Sequence, residues 1–180
     1  FIWDRLDELF TSMPPRVGKT TLALFVITWQ IGLYPEKANL YGTFSGGVAS
    51  AFYKGITEII QDDFTYNWKK IFPNAKFNEK TMCNSKETYL DVGRIKRYHS
   101  FTARSIDGSL NGACDCSGAL IGDDLVSGFE EAKNPNRLAN VWNKTDNDFI
   151  TRAKENEKIT YITAAVAKGT GLDSFARHHA

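Results

Sequence analysis

The chain has 180 residues, of which 42% are apolar and 13% aromatic, a composition that suits one globular domain and excludes a disordered chain. Its formal net charge is only +1, so contact with nucleic acid would require a local basic patch. The three cysteines are too few and odd in number for a disulfide framework, and they suit a reducing compartment.

Apolar periodicity predicts alternating strands and helices along the chain. The predicted strands are 9–13, 38–45, 119–122 and 158–166, with a hairpin over 88–101 whose turn lies near 91–93. The predicted helices are 19–31, 46–63 and 129–153, the last kinked or divided by Pro135. Residues 64–85 predict a short helix plus a loop, and 105–118 a glycine-rich loop. This alternation predicts an α/β fold with a mainly parallel central sheet and helices on both faces.

No apolar run approaches the roughly 18 residues that a membrane span needs. Residues 1–10 are amphipathic and acidic, unlike a signal peptide. The sequence opens without Met and stops at "ARHHA" without a clear terminating element. We therefore expect residues 1–180 to be one domain of a longer polypeptide.

The stretch MPPRVGKT, residues 13–20, lies between a predicted strand and a predicted helix. It follows the phosphate-loop pattern G-x-x-x-x-G-K-[ST], except that Met13 replaces the first glycine. Gly18 lets the backbone approach phosphate, and the amides that begin the helix face an anion. Lys19 would reach the β- and γ-phosphates, and the Thr20 hydroxyl would ligate Mg²⁺. Two prolines can set the turn that the first glycine usually permits.

Arg16 adds a second cation beside Lys19, which is costly unless a polyphosphate or a carboxylate neutralises it. This favours a nucleotide over the alternative, a helix start after prolines in which the letters GKT occur by chance. The nucleotide-binding residues predicted on this basis are Pro15, Arg16, Val17, Gly18, Lys19, Thr20 and Thr21.

A second acidic site follows the predicted strand 119–122, where the sequence reads GALIGDDL. Asp123 would hold Mg²⁺, mostly through its water shell. Asp124 would orient or deprotonate the attacking water. The alternative is that these acids only cap the helix that follows. Their position about a hundred residues after the phosphate loop, in a β/α chain, favours the catalytic interpretation.

Three segments in this order resemble the large terminase subunit of tailed bacteriophages, the motor that packages DNA into procapsids. MPPRVGKTT is similar to its variant phosphate loop; residues 38–74 are similar to its next strand, helix and aromatic-proline stretch; GSLNGACDCSGALIGDDL resembles its glycine-rich loop and acidic strand. The resemblance runs from about Leu9 to Thr163. It implies an ATPase domain that uses ATP and Mg²⁺, assembles as a homo-oligomeric ring, and contacts double-stranded DNA, the portal and the small terminase subunit. It also implies a location in the bacterial cytoplasm, at the portal vertex of the procapsid.

The resemblance implies roles for individual residues. Lys19 and Thr20 bind phosphate and Mg²⁺, and Arg16 is the loop arginine that senses the γ-phosphate or couples neighbouring subunits. Asp123 is the metal-site acid, and Asp124 stands where many members have a catalytic glutamate. Lys19, Arg16 and Asp124 are thus the predicted catalytic residues. Thr163 falls where the family has a short motif that couples hydrolysis to movement.

The sequence also departs from the family in three places. The glycine-rich loop reads Asn111-Gly112-Ala113-Cys114 without the usual basic residue, so Arg104 is the nearest candidate for an arginine acting in trans. After Thr163 the chain has Ala164-Ala165-Val166 where relatives have Arg-Trp. Only Asp173 follows the last strand, so the clustered carboxylates of the family's nuclease domain are absent from residues 1–180.

The sequence-based hypothesis is therefore Mg²⁺-dependent ATP hydrolysis that powers translocation of double-stranded DNA. A helicase-like ATPase shares the chemistry and would need a second motor domain. A non-catalytic nucleotide-binding module of a decayed prophage is a further alternative. The segment RIKRYHSFTAR, residues 94–104, interleaves cations with aromatic side chains and predicts either a solvated strand face or a weak contact with a nucleic-acid backbone.

Overall fold

The computed structural model describes residues 8–14, 16–108, 110, 115–152 and 158–163. The strands are β1 (Glu8–Ser12), β2 (Asn39–Thr43), β3 (Cys83–Asn84), β4 (Tyr89–Leu90), β5 (Phe101–Ser105), β6 (Ala119–Asp123) and β7 (Lys158–Thr163). The helices are α1 (Lys19–Leu33), α2 (Gly46–Gln61), α3 (Trp68–Ile71), α4 (Glu79–Met82), α5 (Phe129–Ala132) and α6 (Pro135–Lys144). A π-helical turn (Thr145–Phe149) and a 3-10 turn (Ile150–Arg152) continue α6.

Within the described residues, the strands form one mixed sheet in the order β1-β7-β6-β2-β5-β4-β3. The pairs from β1 across to β5 are parallel, whereas β4 and β3 are antiparallel additions at one edge. The α/β class predicted from the sequence is confirmed, and the sheet is partly antiparallel. Parallel strands place their carboxyl ends at one edge, so the segments that follow β1 and β6 meet there.

One face of the sheet is covered by α1 and α2. Residues alternate along each strand, so Tyr41, Phe101 and Ile121 point to this face and pack with Ile27 and Ile56 of the two helices. Tyr41 stacks on Phe52 of α2 with ring centroids 3.6 Å apart and planes 10° apart.

The opposite face holds a smaller core around Leu40, Leu120 and Phe149, all with no exposed surface. Phe149 comes from the π-helical turn and lies directly under Gly42 of β2. A Cβ on Gly42 would stand 2.4 Å from the Phe149 ring, so only glycine permits this close approach. The connections from β1 and from β6 therefore cover opposite faces of the sheet.

Helix α1 is apolar on all sides. Its inner face contributes Ala23, Ile27 and Ile31 to the core. Its outer face leaves large apolar side chains about half exposed: Leu22, Phe25, Trp29 and Leu33. Contiguous apolar surface of this kind is unusual on a soluble domain and is typical of a helix with neighbours on both sides.

The predicted hairpin over 88–101 is the main correction. A second strand was predicted immediately after a turn near 91–93, but the partner of β4 begins only at Phe101. Residues 91–100 form a loop, because the buried Asp91 carboxylate accepts hydrogen bonds from the backbone amides of Lys96 and Ser100. The basic segment 94–104 is therefore loop at first and strand only from Phe101.

Most other predicted elements are confirmed with small shifts at their ends. Pro135 divides the predicted helix 129–153, since it is the first residue of α6, where its missing amide costs nothing. The predicted strand 158–166 is described as far as Thr163, and 164–166 lie outside the described residues. Among the described helices, none combines the length and apolar character needed to cross a membrane.

Candidate functional site at the carboxyl edge of the sheet

The loop after β1 ends in a left-handed residue that begins α1. Gly18 has φ 87° and ψ 23°, and its carbonyl accepts the first helical bond from the Leu22 amide at 2.8 Å. Helix α1 has no side-chain cap and no acidic residue in its first turn. The first amides of a helix lack intrahelical acceptors, so this end of α1 is suited to an anion.

Gly18 and Gly46 offer a matched test of the loop's backbone. A Cβ would meet nothing within 4 Å at either position, but Gly18 has a positive φ, whereas Gly46 is the first residue of α2 and does not. We expect Gly18→Ala to lower the free energy of unfolding by about 1–2 kcal/mol through strain alone. Gly46→Ala should leave it unchanged or slightly higher. Urea unfolding of both variants measures the difference, and equal stabilities would contradict the left-handed conformation.

Asp123, the last residue of β6, binds the start of α1. Thr20 Oγ1 donates to Asp123 Oδ2 at 3.0 Å, across 103 residues of sequence. Tyr41 of β2 donates its hydroxyl to the same oxygen at 3.1 Å. Asp123 is only 2% exposed. The two carboxyl-edge segments that the sequence predicted to cooperate are thus in direct contact.

Burial raises the pKa of Asp123, and the neighbouring Asp124 carboxylate raises it further. The hydrogen bonds from Thr20 and Tyr41 and the positive charge of Lys19 act in the opposite direction. Burial also raises the pKa of Tyr41, with the charge of Asp123 adding to the effect, so the phenol remains a donor. The site therefore holds a carboxylate that needs more positive charge than its described protein neighbours supply.

In the protein without nucleotide or divalent cation, replacing Asp123 with Asn should remove the free-energy cost of keeping an ionised carboxylate buried. The raised pKa means that the folded state holds the proton more tightly, so ionisation lowers stability as pH rises from the ordinary value of 3.8 through the folded pKa. We expect Asp123→Asn to be more stable than the native chain at pH 7, with a difference that shrinks toward pH 4. Urea unfolding across this range measures the difference, with exposed Asp146→Asn as control. A variant less stable than the native chain at pH 7 would contradict the predicted cost of ionising Asp123.

Asp124 follows in a left-handed conformation, with φ 48°. Its carbonyl accepts from the Phe44 amide at 3.1 Å, which fixes the backbone beyond β6. The Oδ1 atoms of Asp123 and Asp124 are both buried and have no hydrogen-bond partner among the described residues. Buried carboxylate oxygens without donors are costly, and a cation is the partner that best satisfies them.

The strand between the two segments is β7. It pairs with β1 on one side and β6 on the other, with Ser12 opposite Thr163 and Asp123 opposite Ile162. The backbone of Thr163 therefore ends β7 at the same edge, between the loop after β1 and the acids after β6. The chain leaves β1 and β6 toward opposite faces, and the carboxyl edge at such a point is the usual ligand position in an open α/β sheet.

This arrangement fits an anion bound together with Mg²⁺. Among the described residues there is no group of three or more His, Cys, Asp or Glu side chains that forms a metal cage. Mg²⁺ does not require one, because it keeps several waters and uses one or two carboxylates plus substrate phosphates. Thr20 and Asp123, which are hydrogen-bonded to each other, would be the residues to hold it, with Asp124 beside them. Lys19, at 8% exposure, lies close enough to influence the pKa of Asp123.

The remaining predicted site residues form no side-chain hydrogen bond with Thr20 or Asp123 in the part of the chain that the structure describes. Arg16 and Val17 are exposed in the loop before α1, and Arg16 has a positive φ of 63°. Thr21 is exposed in the first turn of α1. Arg104, the candidate trans arginine, donates to the Glu87 carbonyl and to Thr88 Oγ1 at 2.9 Å, so it would have to leave these contacts to reach a neighbouring subunit.

Several predicted positions lie outside the described residues: Pro15, 111–114 and Asp173. Tyr41 is the site residue that sequence reasoning missed. Its role depends on β2 lying beside β6, a pairing that no local pattern reveals.

Compared with known proteins, the sequence matches no protein-family profile and no curated protein. A function therefore has to be argued from the residues themselves. At the carboxyl edge they combine an uncapped helix start, a buried lysine, and two adjacent carboxylates with unsatisfied oxygens. Chemically, this set can bind a polyanion, hold a divalent cation, and orient water.

Proposed function

We propose that the chain is a phosphate-loop ATPase, the motor domain of a large terminase that packages double-stranded DNA. The observation that carries the proposal is the 3.0 Å hydrogen bond from Thr20 Oγ1 to Asp123 Oδ2. It joins the hydroxyl that ends the GKT sequence to the acid that ends β6. A chance GKT tripeptide gives no reason for this contact.

Each residue has a defined part in the proposed reaction. The α1 amides and Lys19 bind the phosphates and neutralise the charge that develops on them. Thr20 and Asp123 hold Mg²⁺, which when bound supplies further charge stabilisation. Asp124 orients the attacking water and accepts its proton. Arg16, exposed in the loop, would contact the γ-phosphate or a neighbouring subunit.

The wider assembly follows from the resemblance to terminases. A homo-oligomeric ring would complete the site and would act with the portal, the small terminase subunit and double-stranded DNA. In that setting the motor works at the procapsid portal vertex, in the cytoplasm of the bacterial host. Thr163 at the end of β7, between the two halves of the site, would couple hydrolysis to movement.

One observation favours a second candidate, a nucleotide-binding module that does not hydrolyse ATP. Arg104, the nearest arginine to the altered glycine-rich loop, is engaged by Glu87 and Thr88 of its own chain. If no arginine reaches a neighbouring site, nucleotide binding survives while turnover does not.

Phosphate release from ATP distinguishes the two candidates. We expect phosphate release that requires Mg²⁺ and is stopped by EDTA. The release rate divided by the chain concentration should rise with protein concentration and with added duplex DNA. Nucleotide binding without release at any concentration would favour the non-catalytic module. Release that persists in EDTA would contradict the proposed metal site.

A further inference from the structure

A second surface lies at the amino ends of the parallel strands, on the side of the sheet opposite to the Asp123 site. It is formed by residues 91–100, here termed the basic loop. It joins β4 to β5 at the amino ends of the parallel strands. Between Arg94 and Tyr98 the loop is largely exposed, with Ile95 at 64% and Tyr98 at 38%. Because parallel strands begin at one edge and end at the other, this surface is separate from the site around Asp123.

Buried hydrogen bonds on its inner side fix the conformation of the basic loop. Asp91 is 1% exposed and accepts from the Ser100 amide at 3.0 Å and contacts His99 Nδ1 at 2.8 Å. The His99 ring stacks on Tyr89 with centroids 3.5 Å apart. Lys96 turns inward and donates to the Pro35 carbonyl and to Ser100 Oγ. These contacts fix the loop while its exposed side chains take no part in them.

Arg94 and Arg97 are the outward cations of the loop. No ion pair joins either of them to a carboxylate in the part of the chain that the structure describes. The Arg97 guanidinium lies 5.5 Å from the centre of the Tyr98 ring. Arginines beside an exposed aromatic ring are the combination that grips single-stranded nucleic acid, since cations track phosphates and a ring stacks on a base.

A groove of about 380 Å³ opens beside these residues. Its lining includes the cations and Tyr98, but also Glu36, Asp115 and Ser117. Two carboxylates would repel a second row of phosphates, so they disfavour a duplex. The Glu36 carboxylate is instead a suitable acceptor for the amino group of an unpaired base, whereas Asp115 Oδ1 already accepts from the Cys116 amide. The charges thus separate into a cationic rim for phosphate and a groove with acceptors for a base.

We propose that the basic loop binds single-stranded nucleic acid, with phosphates at Arg94 and Arg97 and a base against Tyr98. The proposal does not depend on nucleotide hydrolysis, because the two sites lie at opposite edges of the sheet. Binding is measured without ATP or Mg²⁺, so failure here leaves the ATPase proposal intact, and a silent ATPase leaves this one intact.

Fluorescence anisotropy with a labelled single strand of about 20 mixed nucleotides tests the proposal. We expect Arg94→Glu with Arg97→Glu to weaken binding at least about tenfold and to reduce the salt slope by about 1.4, for two lost phosphate contacts. Tyr98→Ala should weaken binding about tenfold without changing the slope. Lys80→Glu with Lys86→Glu makes the same charge change at exposed positions elsewhere and should have a much smaller effect.

Three outcomes would overturn the proposal, provided that circular dichroism shows all variants folded. An equal loss in the control pair would mean diffuse charge attraction. If a duplex of the same sequence bound more tightly than the single strand, and Tyr98→Ala left the affinity unchanged, the loop would contact phosphates but not bases. Tighter binding of labelled polyglutamate would indicate an acidic protein partner.

Discussion

Lys19→Ala is expected to abolish Mg-ATP binding at concentrations where the native chain is saturated. Lys19 is 8% exposed at the first position of α1, so its side chain is largely withdrawn from water at the end of the helix where we propose that phosphate binds. Removing one partner of a buried charge pair costs about 2–5 kcal/mol, a loss in affinity of at least about thirtyfold. Hydrolysis should fall below detection.

The matched control is Lys54→Ala, which removes an exposed lysine from the adjacent helix α2. Its nucleotide affinity should equal that of the native chain, and both variants should melt cooperatively. In Lys19→Ala the Asp123 carboxylate loses a charge that lowers its pKa, so its pKa should rise. Native nucleotide affinity in Lys19→Ala would contradict a phosphate site at the start of α1.

Asp124→Asn is expected to separate binding from chemistry. Asparagine tolerates the left-handed backbone at this position, where φ is 48°, so the fold should persist. The amide cannot accept the proton of the attacking water, and loss of a general base lowers turnover by about 10²–10⁴-fold. Affinity for Mg-ATP should change little. Single-turnover phosphate release together with a binding isotherm measures both quantities.

Asp123→Asn is the contrasting variant, because removing the proposed Mg²⁺ ligand should make nucleotide binding independent of Mg²⁺. Exposed Asp146→Asn should behave as the native chain in both measurements. If Asp124→Asn turned over ATP at the native rate, another group would have to position the water, and the assignment of Asp124 would be wrong.

Local sequence was sufficient for the elements that build the site. Proline and glycine mark the ends of β1 and α1, and the run ALIG before two acids predicts β6. The contact of Thr20 with Asp123 agrees with the predicted pairing of phosphate loop and acidic strand. These features depend on periodicity and backbone preference, which a short window contains.

The features that the sequence did not reveal depend on packing between residues outside a short sequence window. The loop over 91–100 exists because one carboxylate, Asp91, is buried and satisfied by groups up to nine residues away. The π-helical turn places Phe149 under Gly42, a contact between residues far apart in the chain. Tyr41 joins the site only because β2 lies next to β6. Strand order is a property of the whole fold, so no local pattern could supply it.

Isothermal titration of the native chain with ATP, with and without Mg²⁺, tests the proposed phosphate site most directly. We expect one nucleotide per chain, with affinity that depends on Mg²⁺ and is lost in Lys19→Ala. A folded chain that binds no nucleotide in either condition would contradict a working phosphate site at the carboxyl edge of this sheet.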